Sequence, residues 1–371
     1  MNRLCKLTGA EFPLFAFSHC RDVVAAVSRA GGFGVLGASS HTPDTLDAEL
    51  RWIVEHCAGR PFGVDILFPE HVADIGRSTP HDLAARIPDR HRRFVADLLA
   101  AHGIESPADE IVDTSPPKVM PDQGEVLLDI AFSYPIRLIA NALGIAPPRM
   151  IELGRRHDVP VAALVGAREH ALRQADAGVD IVVAQGGEAA GHCGDVSTLV
   201  LVPEVVRALE GRDIPVIAAG GIATGDQMAA CMAMGAQGAW TGTVWLATAE
   251  AETSEAIRAR MLAATSRDTV RSKARTGKPS RQLRSEWHRA WEAEGAPEPL
   301  PMPLMGMISE PAFRRIGRAN DRGEPGAEAL DSYFVGQGVG LIEQVRSAGA
   351  VVQTFKEEFV EALERLTGAF A

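Results

Sequence analysis

Residues 215–225 read PVIAAGGIATG: a short apolar run, Pro215–Ala219, ends in paired glycines, and a segment of helical period starts at Gly225. A strand covered on both faces reads as an unbroken run of Val, Ile, Leu and Ala, and a helix packs back on it, so this stretch is one βα unit. The unit recurs in both directions. Upstream strand candidates are Leu14–Phe17, Gly34–Leu36, Phe62–Leu67, Val126–Phe132, Val159–Val165 and Val179–Ala184; downstream lies Gly238–Gly242. Between them, helical periods cover Asp22–Ala30, Thr45–His56, Pro148–His157, Ala167–Ala177, Pro203–Leu209 and Gly225–Met234, and three of these end at glycine (Ala30-Gly31, Ala177-Gly178, Met234-Gly235). Eight strands in βα alternation over about 245 residues are the count of an α/β fold of the closed (β/α)8 TIM-barrel type. A doubly wound open sheet fits less well, because it would more often carry an early GxGxxG, absent here.

Two segments interrupt the alternation. The first, His71–Gln123, is charged, punctuated by proline and placed between the third and fourth strands; it contains one helical stretch near Asp89–His102. The second begins after Thr243, where Glu250–Glu294 reads as polar helices followed by the proline-rich Ala296–Pro303. The expected organisation is a barrel over 1–250 with the insertion 71–123, a helical lid over 251–330, and a return to the barrel over 331–371, re-entering at Tyr333 and ending in the amphipathic helix Val351–Leu366.

The chain has 371 residues, 46% of them hydrophobic, and its 37 basic against 48 acidic residues leave a formal net charge of -11. That balance argues against general nucleic-acid affinity, which needs a basic surface. No apolar run approaches the roughly 18 residues of a membrane helix. The five cysteines (5, 20, 57, 193 and 231) form no CxxC pair, which supports neither a disulfide framework nor a zinc ribbon. A reduced, cytoplasmic, metal-free protein that is a monomer or homodimer is expected.

Active sites of such barrels collect after the C-terminal ends of the strands. Those positions are Phe17-Ser18, Ala38-Ser39, Asp65, Ser133, Gly166, Gln185-Gly186, Gly220-Gly221 and Gly242-Thr243. Paired glycines let backbone amides approach a ligand closely, so Gly220, Gly221, Gly242 and Thr243 form a candidate phosphate site; service in tight turns is the alternative. The strand-six loop, AQGGEAAGHCGD at 184–195, carries Gln185, Glu188 and His192. His192 is placed to act as a general base or as a donor to developing charge, against a purely structural hydrogen bond. Glu188 is expected to brace the loop, and Cys193 to be a bystander.

With PVIAAGGIATGDQMAACMAMGAQGAWTGTVWLATAEA at 215–251, this loop resembles the nitronate monooxygenases, formerly called 2-nitropropane dioxygenases, which are FMN-containing barrels related to the flavin-type enoyl-acyl-carrier-protein reductases. VVAAVSRAGGFGVLGA (23–38), FGVDI (62–66), TGKPSRQLR (276–284) and VGQGVG (335–340) extend the resemblance over most of the chain. It implies FMN in the barrel mouth, with Ala16, Phe17, Asp65, Gln185, Gly186, Ala190 and Gly191 around the isoalloxazine and ribityl chain. Gly220, Gly221, Gly242 and Thr243 would hold its phosphate. It makes His192 the catalytic histidine of an oxidoreductase that converts alkyl nitronates and dioxygen to a carbonyl compound and nitrite. Three departures stand out. The usual Ala-Gly-Gly-His is Ala189-Ala190-Gly191-His192, the usual Asn of the strand-three motif is Asp65, and Phe15-Ala16-Phe17-Ser18 replaces a Pro-Met signature.

A basic run, Arg267, Arg271, Lys273, Arg275, Lys278, Arg281 and Arg284, is either a solvated lid face or a landing surface for a phosphate-bearing partner such as FMN, NAD(P)H, coenzyme A or a carrier protein. It favours the alternative of an NAD(P)H-dependent flavin reductase acting on an enoyl or acyl thioester or a quinone. A third reading is a barrel that binds a phosphorylated small molecule without redox chemistry.

Overall fold

Parallel strands close a barrel in the order β1 (Leu14–Ser18), β2 (Phe33–Gly37), β3 (Phe62–Asp65), β4 (Ile139–Asn141), β5 (Val161–Val165), β6 (Ile181–Gln185), β8 (Val216–Ala219) and β9 (Gly238–Thr241), with β9 pairing back on β1. The computed structural model describes residues 2–68, 78–115 and 121–369; positions 71–77 and 116–120 of the expected insertion lie outside the described residues. Inward-facing side chains fill the barrel: Phe15, Phe33, Val35, Leu138, Ile181 and Ile217 are fully buried, and Phe15 stacks on Trp240 with ring centres 6.1 Å apart. The short helix Arg3–Thr8 plugs the N-terminal end with Leu4, held by Asn2 Nδ2 donating to the Gln237 carbonyl at 2.7 Å. Outward-facing strand residues pack under the surrounding helices in a second, larger layer. The loops that follow the strands lie at the opposite, C-terminal face, where active sites of such barrels collect.

The fourth strand lies elsewhere than its expected position. Val126–Phe132 belongs to the helix Pro121–Phe132, where Leu127, Leu128, Ala131 and Phe132 are buried and Val126 and Asp129 are not. That burial follows a helical period, not the unbroken run of a covered strand. β4 is three residues long, too brief to stand out from a loop in sequence. Ser133, expected at the mouth, instead ends a helix, with its hydroxyl donating to the Ile130 carbonyl at 2.6 Å. Asn141 occupies the fourth strand end.

Glu250–Glu294 is also not purely helical. Between the helices Glu255–Ala263 and Glu286–Glu292 the chain forms an antiparallel hairpin of β10 (Thr269–Ser272) and β11 (Ser280–Leu283). β11 pairs in turn with the two-residue strand β7, Gly191–His192, on the strand-six loop. A second hydrophobic core lies apart from the barrel. It joins Leu83, Val95, Leu99 and Ile111 of the insertion to Trp287, Ile308 and Phe313 of the segment after β11. No helix among the described residues is long and apolar enough to cross a membrane.

Candidate active site

The C-terminal ends of the strands bring the expected residues to one face. Ala16 and Phe17 lie in the C-terminal half of β1, Asp65 ends β3 and Gln185 ends β6; Gly186, Ala190 and Gly191 follow on the loop, and Gly220-Gly221 and Gly242-Thr243 follow β8 and β9. Gly220 and Gly221 have φ values of 109° and 71°. A Cβ at Gly220 would stand 2.7 Å from Thr198 Oγ1 and 2.9 Å from the Gly186 nitrogen, so only glycine permits this turn. Among the described residues, the amides of Gly221, Ile222 and Gly242 donate to no protein acceptor. A Cβ at Gly242 would meet nothing within 4 Å, so open space adjoins its backbone. The Thr243 hydroxyl accepts from the Gly336 amide at 2.9 Å, which leaves its own proton to donate. Three unpartnered amides and a hydroxyl on the adjacent loops after β8 and β9 suit a phosphate group.

Glu188 braces this cradle. Its Oε2 accepts from both the Thr198 amide and the Thr198 hydroxyl at 2.9 Å, at the start of the helix Thr198–Ala208, and its carbonyl accepts from the Gln337 amide at 2.9 Å. The stretch 335–340 is thereby stitched across the loops that follow β6 and β9.

His192 is half-buried on β7, and its Nε2 lies 2.9 Å from Thr276 Oγ1 in the hairpin loop. Burial pushes its pKa down to about 4, and the positive charge of Lys278 adds to the shift. The imidazole is therefore neutral near pH 7 and able to accept a proton. Lys278 makes no ion pair among the described residues. Asp65 is fully buried, and burial alone pushes its carboxyl up to about 7. Phe17 packs edge-on against His19 and face-on against Trp240, with centroids 5.1 and 6.5 Å apart. Cys193 is half-buried, and burial raises its pKa, which disfavours a reactive thiolate.

Asn141, His19 and Thr276 at this face escaped the sequence reading, and Lys278 was read only as a member of the basic run. Asn141 ends a strand too short to see; its Oδ1 accepts from the Phe68 amide at 3.0 Å and steadies the loop after β3. His19 sits beyond β1, with Nδ1 3.0 Å from the Gly37 carbonyl. Thr276 and Lys278 lay in a noted motif, but nothing local ties that motif to His192. The pairing of β11 with β7 spans about ninety residues, and its partners Ser280 and His192 share no sequence signal.

Most of the basic run is engaged within the protein. Arg271 pairs with Asp195, and Arg281 Nε donates to the Gly187 carbonyl at 2.9 Å. Arg275 is buried over the rings of Phe313 and Phe334 and pairs with Glu310 at 3.0 Å, and Arg284 pairs with Glu292 at 2.8 Å. These arginines fasten the hairpin to the barrel loop and to the second core.

A closed parallel barrel with an amide-lined cradle and a neutral histidine at its mouth defines a TIM-barrel enzyme. The chain matches the nitronate monooxygenase family over residues 11–358 and belongs to that family, which makes it an oxidoreductase. It is 51% identical over 373 residues to a Mycobacterium tuberculosis protein provisionally named monooxygenase Rv1533, covering 99% of this chain and 98% of that one. A Staphylococcus saprophyticus protein named "probable nitronate monooxygenase" is 28% identical over 300 residues, 77% of this chain and 79% of the relative. Among solved structures, a nitroalkane oxidase from Streptomyces ansochromogenes superposes with a TM-score of 0.79 at 26% identity, covering 98% of this chain and all of that one. FabK from Thermotoga maritima does so with a TM-score of 0.72, also at 26% identity, covering 100% and 99%.

Proposed function

We propose that the protein is a flavin-dependent oxidoreductase that uses FMN to oxidise alkyl nitronates with dioxygen, giving a carbonyl compound and nitrite. The observation that carries this reading is the neutral His192, on a loop that also braces an amide-lined cradle, near Lys278, which makes no ion pair among the described residues. The amides of Gly221, Ile222 and Gly242, with the Thr243 hydroxyl, would hold the FMN phosphate. Ala16, Phe17, Asp65, Gln185, Gly186, Ala190 and Gly191 would line the rest of its site. Bound FMN would supply the electron transfer that side chains lack.

The residues around it bind, orient and move protons. Lys278 contributes positive potential where an anionic nitronate would lie. His192, neutral at physiological pH, takes the Cα proton of a neutral nitroalkane and, once it holds that proton, donates to the bound anion. The five thiols are free and four of them are buried, which fits a reducing, cytoplasmic setting.

A second reading, an NAD(P)H-dependent reductase of an enoyl or acyl thioester or a quinone, is favoured by the likeness to FabK. The basic run no longer favours it, because four of its arginines are engaged within the protein. The test is the visible spectrum of the purified protein during anaerobic addition of an alkyl nitronate. Rapid bleaching of an oxidised-flavin band is expected. A band that ignores nitronate but bleaches with NAD(P)H would replace the first reading with the second.

A further inference from the structure

We propose that Thr276 is a positioning residue that holds the His192 imidazole in a single tautomer, with its proton on Nε2 and its lone pair on Nδ1. The proposal rests on the reading of His192 as the catalytic group.

Thr276 Oγ1 meets three polar atoms: His192 Nε2 at 2.9 Å, the Lys278 carbonyl at 3.0 Å and the Lys278 amide at 3.3 Å. A hydroxyl has one proton and two lone pairs. If that proton goes to the Lys278 carbonyl, the oxygen accepts from both the Lys278 amide and Nε2–H, and all three contacts are hydrogen bonds. If it goes to Nε2 instead, the Lys278 carbonyl loses its partner. The first arrangement satisfies every group, so Nε2 carries the proton. Nδ1 has no hydrogen-bond partner among the described residues and is the atom left to accept one.

Thr276 can impose this choice because its own backbone is held on both sides. The Ala274 carbonyl accepts from Trp287 Nε1 at 3.0 Å, and the Arg275 carbonyl accepts from the buried Ser309 hydroxyl. Gly277 has a φ of 83°, and a Cβ there would lie 2.4 Å from both the Leu300 carbonyl oxygen and the Met302 nitrogen. The β11–β7 pairing fixes the histidine backbone from the other side. The second core thus reaches the imidazole through one hydroxyl.

The experiment compares the flavin-loaded full chain with Thr276→Val, Thr276→Ser, His192→Ala and the double variant His192→Ala/Thr276→Val. Nitrogen-15 histidine NMR, with His192→Ala assigning the signal, reads the tautomer directly. Wild type is expected to show the Nε2–H form, and Thr276→Val a mixture. Thr276→Val should lower kcat by about 10- to 100-fold with little change in KM, as slight misplacement of a catalytic group does. Thr276→Ser should restore both the tautomer and the rate. On the His192→Ala background the valine should cost nothing further, since groups acting as a unit are not additive.

An Nδ1–H tautomer in wild type would overturn the proposal even if Thr276→Val failed to fold. So would a wild-type rate in Thr276→Val, or a loss that persists in full on the His192→Ala background. Unchanged turnover in His192→Ala would instead overturn the underlying reading of the histidine, a result distinct from each of these.

Discussion

At residue 192 a half-buried imidazole stands near an ammonium group, and both burial and that charge hold it neutral. A base with a pKa of about 4 remains deprotonated well below neutrality. The nitroalkane rate should therefore hold down to about pH 5 and fall only toward pH 4, not near the 6.5 of a free histidine; a pH–rate profile measures this. His192→Ala should keep its flavin spectrum and lose about 100-fold or more in kcat. Lys278→Met should raise KM for a nitronate by several-fold and move the acid limb to higher pH, because it removes a charge that opposes protonation of His192. Asp65 has the opposite linkage. Its folded-state pKa is raised, so the native state keeps a proton that the unfolded chain releases, and stability falls as pH rises from about 4 to 7. Asp65→Asn should raise the melting temperature at pH 8 by about 1 °C for each kcal/mol recovered and leave it unchanged at pH 3.

At the level of elements, the turn after β8 is the most demanding piece of backbone in the mouth. Gly221→Asp would place a carboxylate where φ is 71° and where a Cβ already meets the Glu188 side chain at 2.9 Å. The variant should purify with little or no bound flavin, as judged by its absorbance near 450 nm, roughly the flavin band, relative to protein; normal occupancy would remove the proposed phosphate cradle. This turn was legible in sequence because everything it needs is local: an apolar run, two glycines and a helix start. The same held for seven of the eight barrel strands and for the brace at Glu188. The fourth strand was not legible, because Ile139–Asn141 is three residues long while Val126–Phe132 is apolar enough to imitate a strand. The hairpin was hidden for a different reason. Arg271, Arg275 and Arg281 give the β10–β11 hairpin and its loop the composition of a solvated surface, and only their distant partners Asp195, Glu310 and Gly187 show that they are fastened inward.

On the scale of the whole molecule, the second core decides whether the hairpin that pairs with the strand-six loop is held. It is built from two segments separated by the rest of the barrel, so Leu99 and Trp287 share one cluster that no local pattern announces. Trp287 is fully buried, packs 5.0 Å from Phe313 and 6.0 Å from Trp291, and donates to the loop that carries Thr276. Trp287→Ala should destabilise this core by about 3–5 kcal/mol. Because the proposed phosphate cradle belongs to the barrel loops, flavin should stay bound in the variant while kcat falls. The adjacent His288 gives the core a pH dependence of its own. It is fully buried, its Nδ1 accepts from the Ser285 amide at 3.2 Å, and burial pushes its pKa down to about 3, with the charges of Arg275, Arg284 and Arg260 adding to the shift. Below about pH 6.5 the unfolded chain takes up a proton that the native state refuses until about pH 3. Stability attributable to this residue is therefore present at neutral pH and is lost as pH falls through that window, at up to about 1.4 kcal/mol per pH unit. His288→Gln does not titrate, so its denaturant midpoint should fall less steeply than that of wild type between pH 6 and 4. Parallel midpoints over that range would show that the residue is not held neutral, and would separate the acid sensitivity of this core from that of His192.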